Sequence, residues 1–246
     1  MKNTKPLLAA LACILTFSAC KKNDSVSPNA ANLPKTYTED ITSSGIGNSK
    51  TTYNLSYDGN GRLTSLVSAS APGNKFVYKY NTNSTYTMDL FISNFLSIHE
   101  NFFINSNSLV DSTFQYDDTQ DTTTEKYFYN GSGQLVQLNE YDYTKADGSV
   151  LNNVHTYEYD ANGNQTKDTD YNGVQTFTYY TDLENTLSVG QTYFPKGKYL
   201  IKTLTVDNGG SPITVNYTYT FDSQKRLVTD NEVSSDGDIV IKTYTY

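Results

Sequence analysis

YDANGNQ, Tyr159 to Gln165, is the stretch that decides the fold, and it recurs as YDGNGRL (Tyr57 to Leu63), YNGSGQL (Tyr129 to Leu135) and FDSQKRL (Phe221 to Leu227). An Asp or Asn opens a type I turn, and three residues later a Gly falls where the chain needs a left-handed residue, giving a three-residue hairpin loop with a G1 bulge. Glycine adopts that conformation without a Cβ clash. The register that follows sets Asp58 against Arg62 and Tyr57 against Leu63, an aromatic facing an aliphatic directly behind the turn. The same pairing recurs as Tyr129 with Leu135 and Phe221 with Leu227. In the fourth copy Lys225 stands where the others have Gly61, Gly133 and Gly163, and a side chain there costs about 1 kcal/mol. What repeats is a turn and not a set of reactive groups, so the motif speaks to architecture and is almost silent about chemistry.

Turn marks continue along the chain near Gly47, Asn60, Gly73, Asn83, Asn94, Asn107, Asp118, Ser132, Asp147, Asn162, Asn172, Asp182, Pro195, Asn208, Ser223 and Asp236, at intervals of 10 to 15 positions. Even spacing of this kind is the signature of an all-β chain of short antiparallel strands. Between marks the sequence alternates, most clearly with Ile213, Val215, Tyr217, Tyr219 and Phe221 on one face and Thr214, Asn216, Thr218 and Thr220 on the other. Leu200, Lys202, Leu204 and Val206 follow the rule imperfectly, and His155, Tyr157 and Tyr159 also share a face. Met88, Phe91, Ile92, Phe95 and Leu96 fall at helical spacing, but Ser93-Asn94 keeps the turn rhythm and favours strands there. The expected fold is a long antiparallel meander of about seventeen short strands, curled into a barrel or half-barrel to hide its apolar face; a two-layer sandwich is the alternative.

At the N-terminus Lys2 and Lys5 precede the apolar run Leu7 to Phe17, which ends in Phe17-Ser18-Ala19-Cys20. This resembles the lipobox of a bacterial lipoprotein signal peptide, which implies removal of residues 1–19 and acylation of Cys20 as the membrane anchor. A plain secretory signal cut near Ala19 is the alternative. Cys13 goes with the signal, so no disulfide framework is expected. Residues 20–32 are polar, with Pro28, and read as a tether that holds one all-β domain, residues 33–246, off the membrane. Lys21 after the anchor, in place of Asp, favours the outer membrane. Loss of Lys2 and Lys5 leaves 16 basic residues against 26 acidic ones, which makes nucleic acid a poor partner.

The strings YDGNGRLTSL and YEYDANGNQ look like the YD repeats of RHS-type proteins, in which strand-turn-strand units wind into β-sheet shells. Together with the lipobox, the chain is similar to a group of Gram-negative lipoproteins of unknown function with YD-like hairpins. That resemblance implies a porin-like curled β-sheet and carries over no catalytic residue.

Chemical motifs are few. Asp168, Asp170, Asn172 and Gly173 spell the start of an EF-hand loop, but position twelve is Tyr179 where a bidentate Glu belongs. Asn172-Gly173 also reads as a two-residue hairpin turn, so no metal is expected. His99 and His155 sit in no zinc motif, and no nucleophile elbow or phosphate loop is present. No catalytic residue and no cofactor are assigned. The reading is a lipid-anchored, non-enzymatic envelope module that binds a ligand or builds structure, with a glycan or an envelope protein as its expected partner. The rival is a hydrolase of envelope or dietary polysaccharide that uses a carboxylate pair. A membrane-spanning barrel is disfavoured by the polar face of Thr214, Asn216, Thr218 and Thr220.

Overall fold

The computed structural model describes residues 33–45, 47–117, 122–144, 148–185 and 197–246. The Cys20 anchor, the signal and the tether lie outside them. In chain order the strands are β1 (Thr36–Thr42), β2 (Ser49–Tyr57), β3 (Leu63–Ser68), β4 (Lys75–Tyr80), β5 (Thr85–Ile92), β6 (Phe95–Ile104), β7 (Val110–Asp117) and β8 (Thr122–Tyr129). They continue as β9 (Leu135–Thr144), β10 (Gly148–Tyr159), β11 (Gln165–Asp170), β12 (Gly173–Glu184), β13 (Tyr199–Asp207), β14 (Ile213–Phe221), β15 (Leu227–Ser234) and β16 (Ile239–Thr245). Each pairs antiparallel with its sequence neighbours, and β1 pairs with β16, so sixteen strands close into a barrel. Closure removes both sheet edges, which is how a one-sided apolar meander hides its face. Neither a half-barrel nor a sandwich forms.

The stretch with helical spacing is strand. Ser93 and Asn94, both left-handed (φ 53° and 68°), make a two-residue turn between β5 and β6. Two expectations need correction. Asp182 marks no turn; it lies within β12, where the ladder to β13 is interrupted between Tyr179 and Glu184. The β11–β12 turn is Tyr171-Asn172, one residue earlier than read, because Asp170 pairs with Gly173. Gly173 instead begins β12 at φ 149°, where an added Cβ would meet the Asp207 carbonyl oxygen at 2.1 Å.

The recurrent turns close as expected. The Asp58 N–H bonds Arg62 O at 2.9 Å, the Gly61 N–H bonds Asp58 O at 3.0 Å, and Asp58 Oδ1 accepts the N–H groups of Asn60 and Arg62. The same pattern surrounds Asn130, Asp160 and Asp222, with Lys225 at φ 61°. A fifth loop of this form is Asn105 to Leu109, with Ser108 at φ 61° in the glycine place.

All five loops lie at one end of the barrel, and behind them tyrosines lock neighbouring strands. Hydroxyls of Tyr57, Tyr80, Tyr129, Tyr159, Tyr179, Tyr219 and Tyr246 donate to the carbonyls of Pro34, Leu63, Val110, Leu135, Gln165, Ile201 and Leu227, at 2.6 to 3.0 Å. Buried tyrosine suits this place because its ring packs while its hydroxyl satisfies a carbonyl at the strand's start. Leu55, Leu63, Leu66, Phe102, Val110, Leu227 and Tyr244 form one cluster, and of these tyrosines Tyr57, Tyr80, Tyr219 and Tyr246 pack against it.

The outward face is mixed: it is threonine-rich over much of its circumference, with Phe103, Phe114, Tyr116, Phe128, Tyr143 and Leu151 exposed over β6 to β10. Hydroxyl pairs Thr38–Thr52, Thr178–Thr203 and Thr220–Thr229 bridge adjacent strands, and Lys50–Asp40 and Lys167–Glu158 make ion pairs across them.

Candidate functional site

Part of the interior is layered, because four of the even-numbered strands, β6, β8, β10 and β16, carry the same inward order counted from the turns. β8 reads Tyr129, Tyr127, Glu125; β10 reads Tyr159, Tyr157, His155; β16 with the residue that follows it reads Tyr246, Tyr244, Lys242; β6 reads Ile104, Phe102, Glu100. Two apolar or aromatic layers thus give way to a charged third one. Inward positions of the odd strands add Glu39, Glu140, Asp168, Asp170, Asp230 and Glu232.

One group centres on His155. Its Nδ1 lies 3.2 Å from Asp168 Oδ1, and its Nε2 lies 3.6 Å from Glu140 Oε1 and 4.0 Å from Asp170 Oδ2. Hydrogen bonds from the ring to Asp168 and Glu140, opposed by burial, push its pKa up to about 10, so an imidazolium stands here at neutral pH. Glu140 is held below the usual carboxylate range, chiefly by its hydrogen bond with His155. Burial opposes the same effect at Asp170, but bonds from the side chains of Asn172 and Asn153 keep its pKa low.

Glu125 and Glu100 extend the group along the wall. Glu125 accepts hydrogen bonds from Thr113 Oγ1 at 3.2 Å and from the Tyr127 hydroxyl. Burial, and next the charge of Glu125, push Glu100 up to about 8. Glu100 is therefore protonated at neutral pH, and burial pushes its neighbour Glu125 upward as well. The interior here is reached by solvent: side chains of His155, Asp168, Asp170 and Glu140 remain 15 to 28% exposed although they point into the barrel.

The second group is more enclosed. Lys242 bonds Glu232, and Glu39 accepts the Tyr37 hydroxyl at 3.0 Å. Asp230, opposite Lys242 in register, is buried with Oδ1 unpartnered among the described residues, and burial raises it to about 7.

Of the calcium candidates, Asp168 and Asp170 point inward on β11, while Asn172 stands in the turn. Asp168 faces His155, and Asp170 Oδ1 accepts the N–H groups of Asn172 and Gly173. Among the described residues no group of three or more His, Cys, Asp and Glu side chains is arranged to hold a metal ion. Chemically, the lumen offers an acid with a proton to give (Glu100), ionised carboxylates, and a fixed imidazolium. Sequence reasoning passed over Glu100, Glu125 and Glu140. For Glu125 the signal was the polar-x-Tyr-x-Tyr order just before a turn, shared with His155; Glu100 and Glu140 stand in no such string.

No family model matches the chain, and no curated protein is similar to it. Among solved structures, a porin-like protein from Bacteroides uniformis ATCC 8492 superposes with a TM-score of 0.61 at 15% identity, covering 86% of this chain and 97% of its own. A TcdB2-TccC3 toxin structure matches 81% of this chain and 13% of its own at 12% identity, with a TM-score of 0.19. The first likeness bears on the fold alone, and the second bears on nothing further.

Proposed function

We propose that the protein is a lipid-anchored, non-enzymatic module of the cell envelope that stands in water beside the outer membrane and binds a ligand there. The observation that carries this reading is the outward wall. A spanning barrel needs a continuous apolar outer band, and a charged side chain facing lipid near the midplane costs about 2 to 4 kcal/mol. This wall carries the threonine pairs Thr38–Thr52 and Thr178–Thr203 within its strands and the ion pairs Lys50–Asp40 and Lys167–Glu158 toward strand ends, so the outward band is not continuously apolar. Likeness to a porin-like protein supports the barrel and an envelope setting, while the threonine-rich stretch of the wall over β10 to β16 argues against pore insertion. With Cys20 acylated and residues 20–32 as tether, the membrane attachment is covalent and not through the strands. Replacing Cys20 with Ser is expected to move the protein from the membrane pellet to the soluble fraction. Retention of the variant in membranes after a carbonate wash would mean that the strands span the bilayer.

A polysaccharide hydrolase is the second reading, favoured by Glu100, protonated near neutrality, facing the same lumen as ionised Glu140. It requires release of reducing ends from a polymer by the wild type and its loss in Glu100→Gln. Equal activity in the variant would remove it.

A further inference from the structure

Outside β10 to β16 the wall is largely threonine and asparagine, but over β7 to β9 it carries rings. Phe114 and Tyr116 of β7 stand opposite Thr124 and Thr122 of β8, and these stand opposite Tyr141 and Tyr143 of β9. Two aromatic rows therefore flank a threonine floor, about 10 Å apart across two strand spacings. Phe114, Tyr116 and Tyr143 are 39, 37 and 50% exposed. Such exposure of large rings on a water-facing wall is unfavourable unless something covers them.

The rows are braced and one end is charged. Tyr116 leans on the His99 ring at 4.9 Å, and His99 is fixed by Asp89 Oδ1 at 2.5 Å. Lys126, next along β8, places Nζ 5.4 Å from the Tyr141 ring. On the floor, Thr122 Oγ1 has no hydrogen-bond partner among the described residues. In a chain of 26 acidic and 18 basic residues, the ladder-paired outward positions of β4 to β9 carry Lys75, Lys79 and Lys126. The acid among them, Asp89, is already engaged by Lys79 and His99. On these ladder positions bases outnumber acids, and Lys126 is the one that stands at the trough itself, with Asp111 exposed at the β7 irregularity beyond it.

We propose that the trough over β8 binds an extended pyranose polysaccharide that carries carboxylates, a uronic-acid polymer. The apolar C–H faces of its rings stack on the Phe114/Tyr116 and Tyr141/Tyr143 rows, and a carboxylate pairs with Lys126. Charge complementarity selects an acidic polymer over a neutral one. The inference rests on the reading that this wall faces water, since in a bilayer the trough would meet acyl chains.

Affinity electrophoresis of the Cys20→Ser chain through native gels containing alginate or dextran tests it. Alginate is expected to retard the protein and dextran to leave it unchanged. Phe114→Ala with Tyr116→Ala, and separately Thr124→Glu, which places a repelling charge on the floor without removing a ring, are each expected to weaken the alginate interaction at least five-fold. Lys126→Gln is expected to reduce its salt dependence. Absence of retardation, equal retardation by dextran, or full retention in both trough variants overturns the proposal. So does co-sedimentation with phosphatidylglycerol vesicles that the same variants abolish, which would assign the trough to lipid. A Cys20→Ser chain that is soluble yet indifferent to alginate sinks this inference alone and leaves the water-facing module standing.

Discussion

Lys225 and Ser108 hold a left-handed backbone (φ 61° for both) at the place where Gly61, Gly133 and Gly163 sit at 76° to 82°. The hydrogen bonds around all five are the same, so the loop is specified by its opening Asp or Asn, whose Oδ1 gathers two N–H groups, more than by glycine. That explains what was legible. The four copies with an aromatic before the turn could be read, but in the fifth Ile104 and Ser108 replace the aromatic and the glycine at once, while Asn105 keeps the bonds. Adding a side chain to an unstrained copy is the sharper experiment: Gly163→Lys is expected to cost about 1 kcal/mol. Its new Cβ meets nothing closer than Gln134 Nε2 at 3.6 Å, so backbone strain alone is measured. Lys225→Gly should give a small gain or none, because relief of about 1 kcal/mol is offset by roughly 0.4 to 1 kcal/mol of added freedom in the unfolded chain. Denaturant midpoints of the two variants decide whether the turns share one backbone. Gly173 is different in kind: in Gly173→Ala the methyl group collides with the Asp207 carbonyl. The expected loss is about 1 to 3 kcal/mol, read from the same denaturation curves.

Among the elements, the even strands do the joining. Each tyrosine hydroxyl behind a turn reaches the start of an earlier strand, as Tyr129 on β8 reaches Val110 on β7. Tyr129→Phe keeps the ring and removes one hydrogen bond, so a loss of about 0.5 to 1.5 kcal/mol is expected. Tyr143→Phe, exposed on the outer wall, should be neutral in the same melt; equal losses would show that the hydroxyls behind the turns have no joining role. Strand alternation was legible because each strand buries one face, as Tyr217, Tyr219 and Phe221 show. Asp182 misled because a turn-former also marks a break in a ladder, and β12 runs through its irregularity without reversing. The charged layer was out of reach for a related reason. Glu100, Glu125, Glu140 and His155 are scattered over 56 positions of sequence, and only the register across five strands brings them to one level.

For the whole molecule, that layer dictates how stability follows pH. Glu100 rises to about 8 and Asp230 to about 7, from ordinary values of 4.5 and 3.8, with burial as the leading cause of both. A carboxyl raised on folding binds more proton in the native state than in the unfolded one, so its contribution is complete below its unfolded pKa and fades as pH climbs through the folded one. His155, raised to about 10 by its carboxylate partners, acts in the same sense: the imidazolium stabilises fully below about 6.5 and that stabilisation is lost toward pH 10. The depressed groups, Glu140, Asp58, Asp160, Asp170, Asp222 and Asp236, oppose this only when pH falls through their own low values, below about 4. Between pH 5 and 9 all the raised groups therefore push one way. Melting temperature at constant ionic strength is expected to fall steadily from pH 5 to pH 9, and Glu100→Gln, a neutral stand-in for the protonated acid, should flatten the part of the fall below about pH 8. A melting temperature that rises across this window, or a Gln variant with an unchanged slope, would mean that Glu100 is ionised in the folded barrel. The proton-donating acid of the hydrolase reading would then be gone as well, leaving the lumen as a charged lining and the outer trough as the place to look for the ligand.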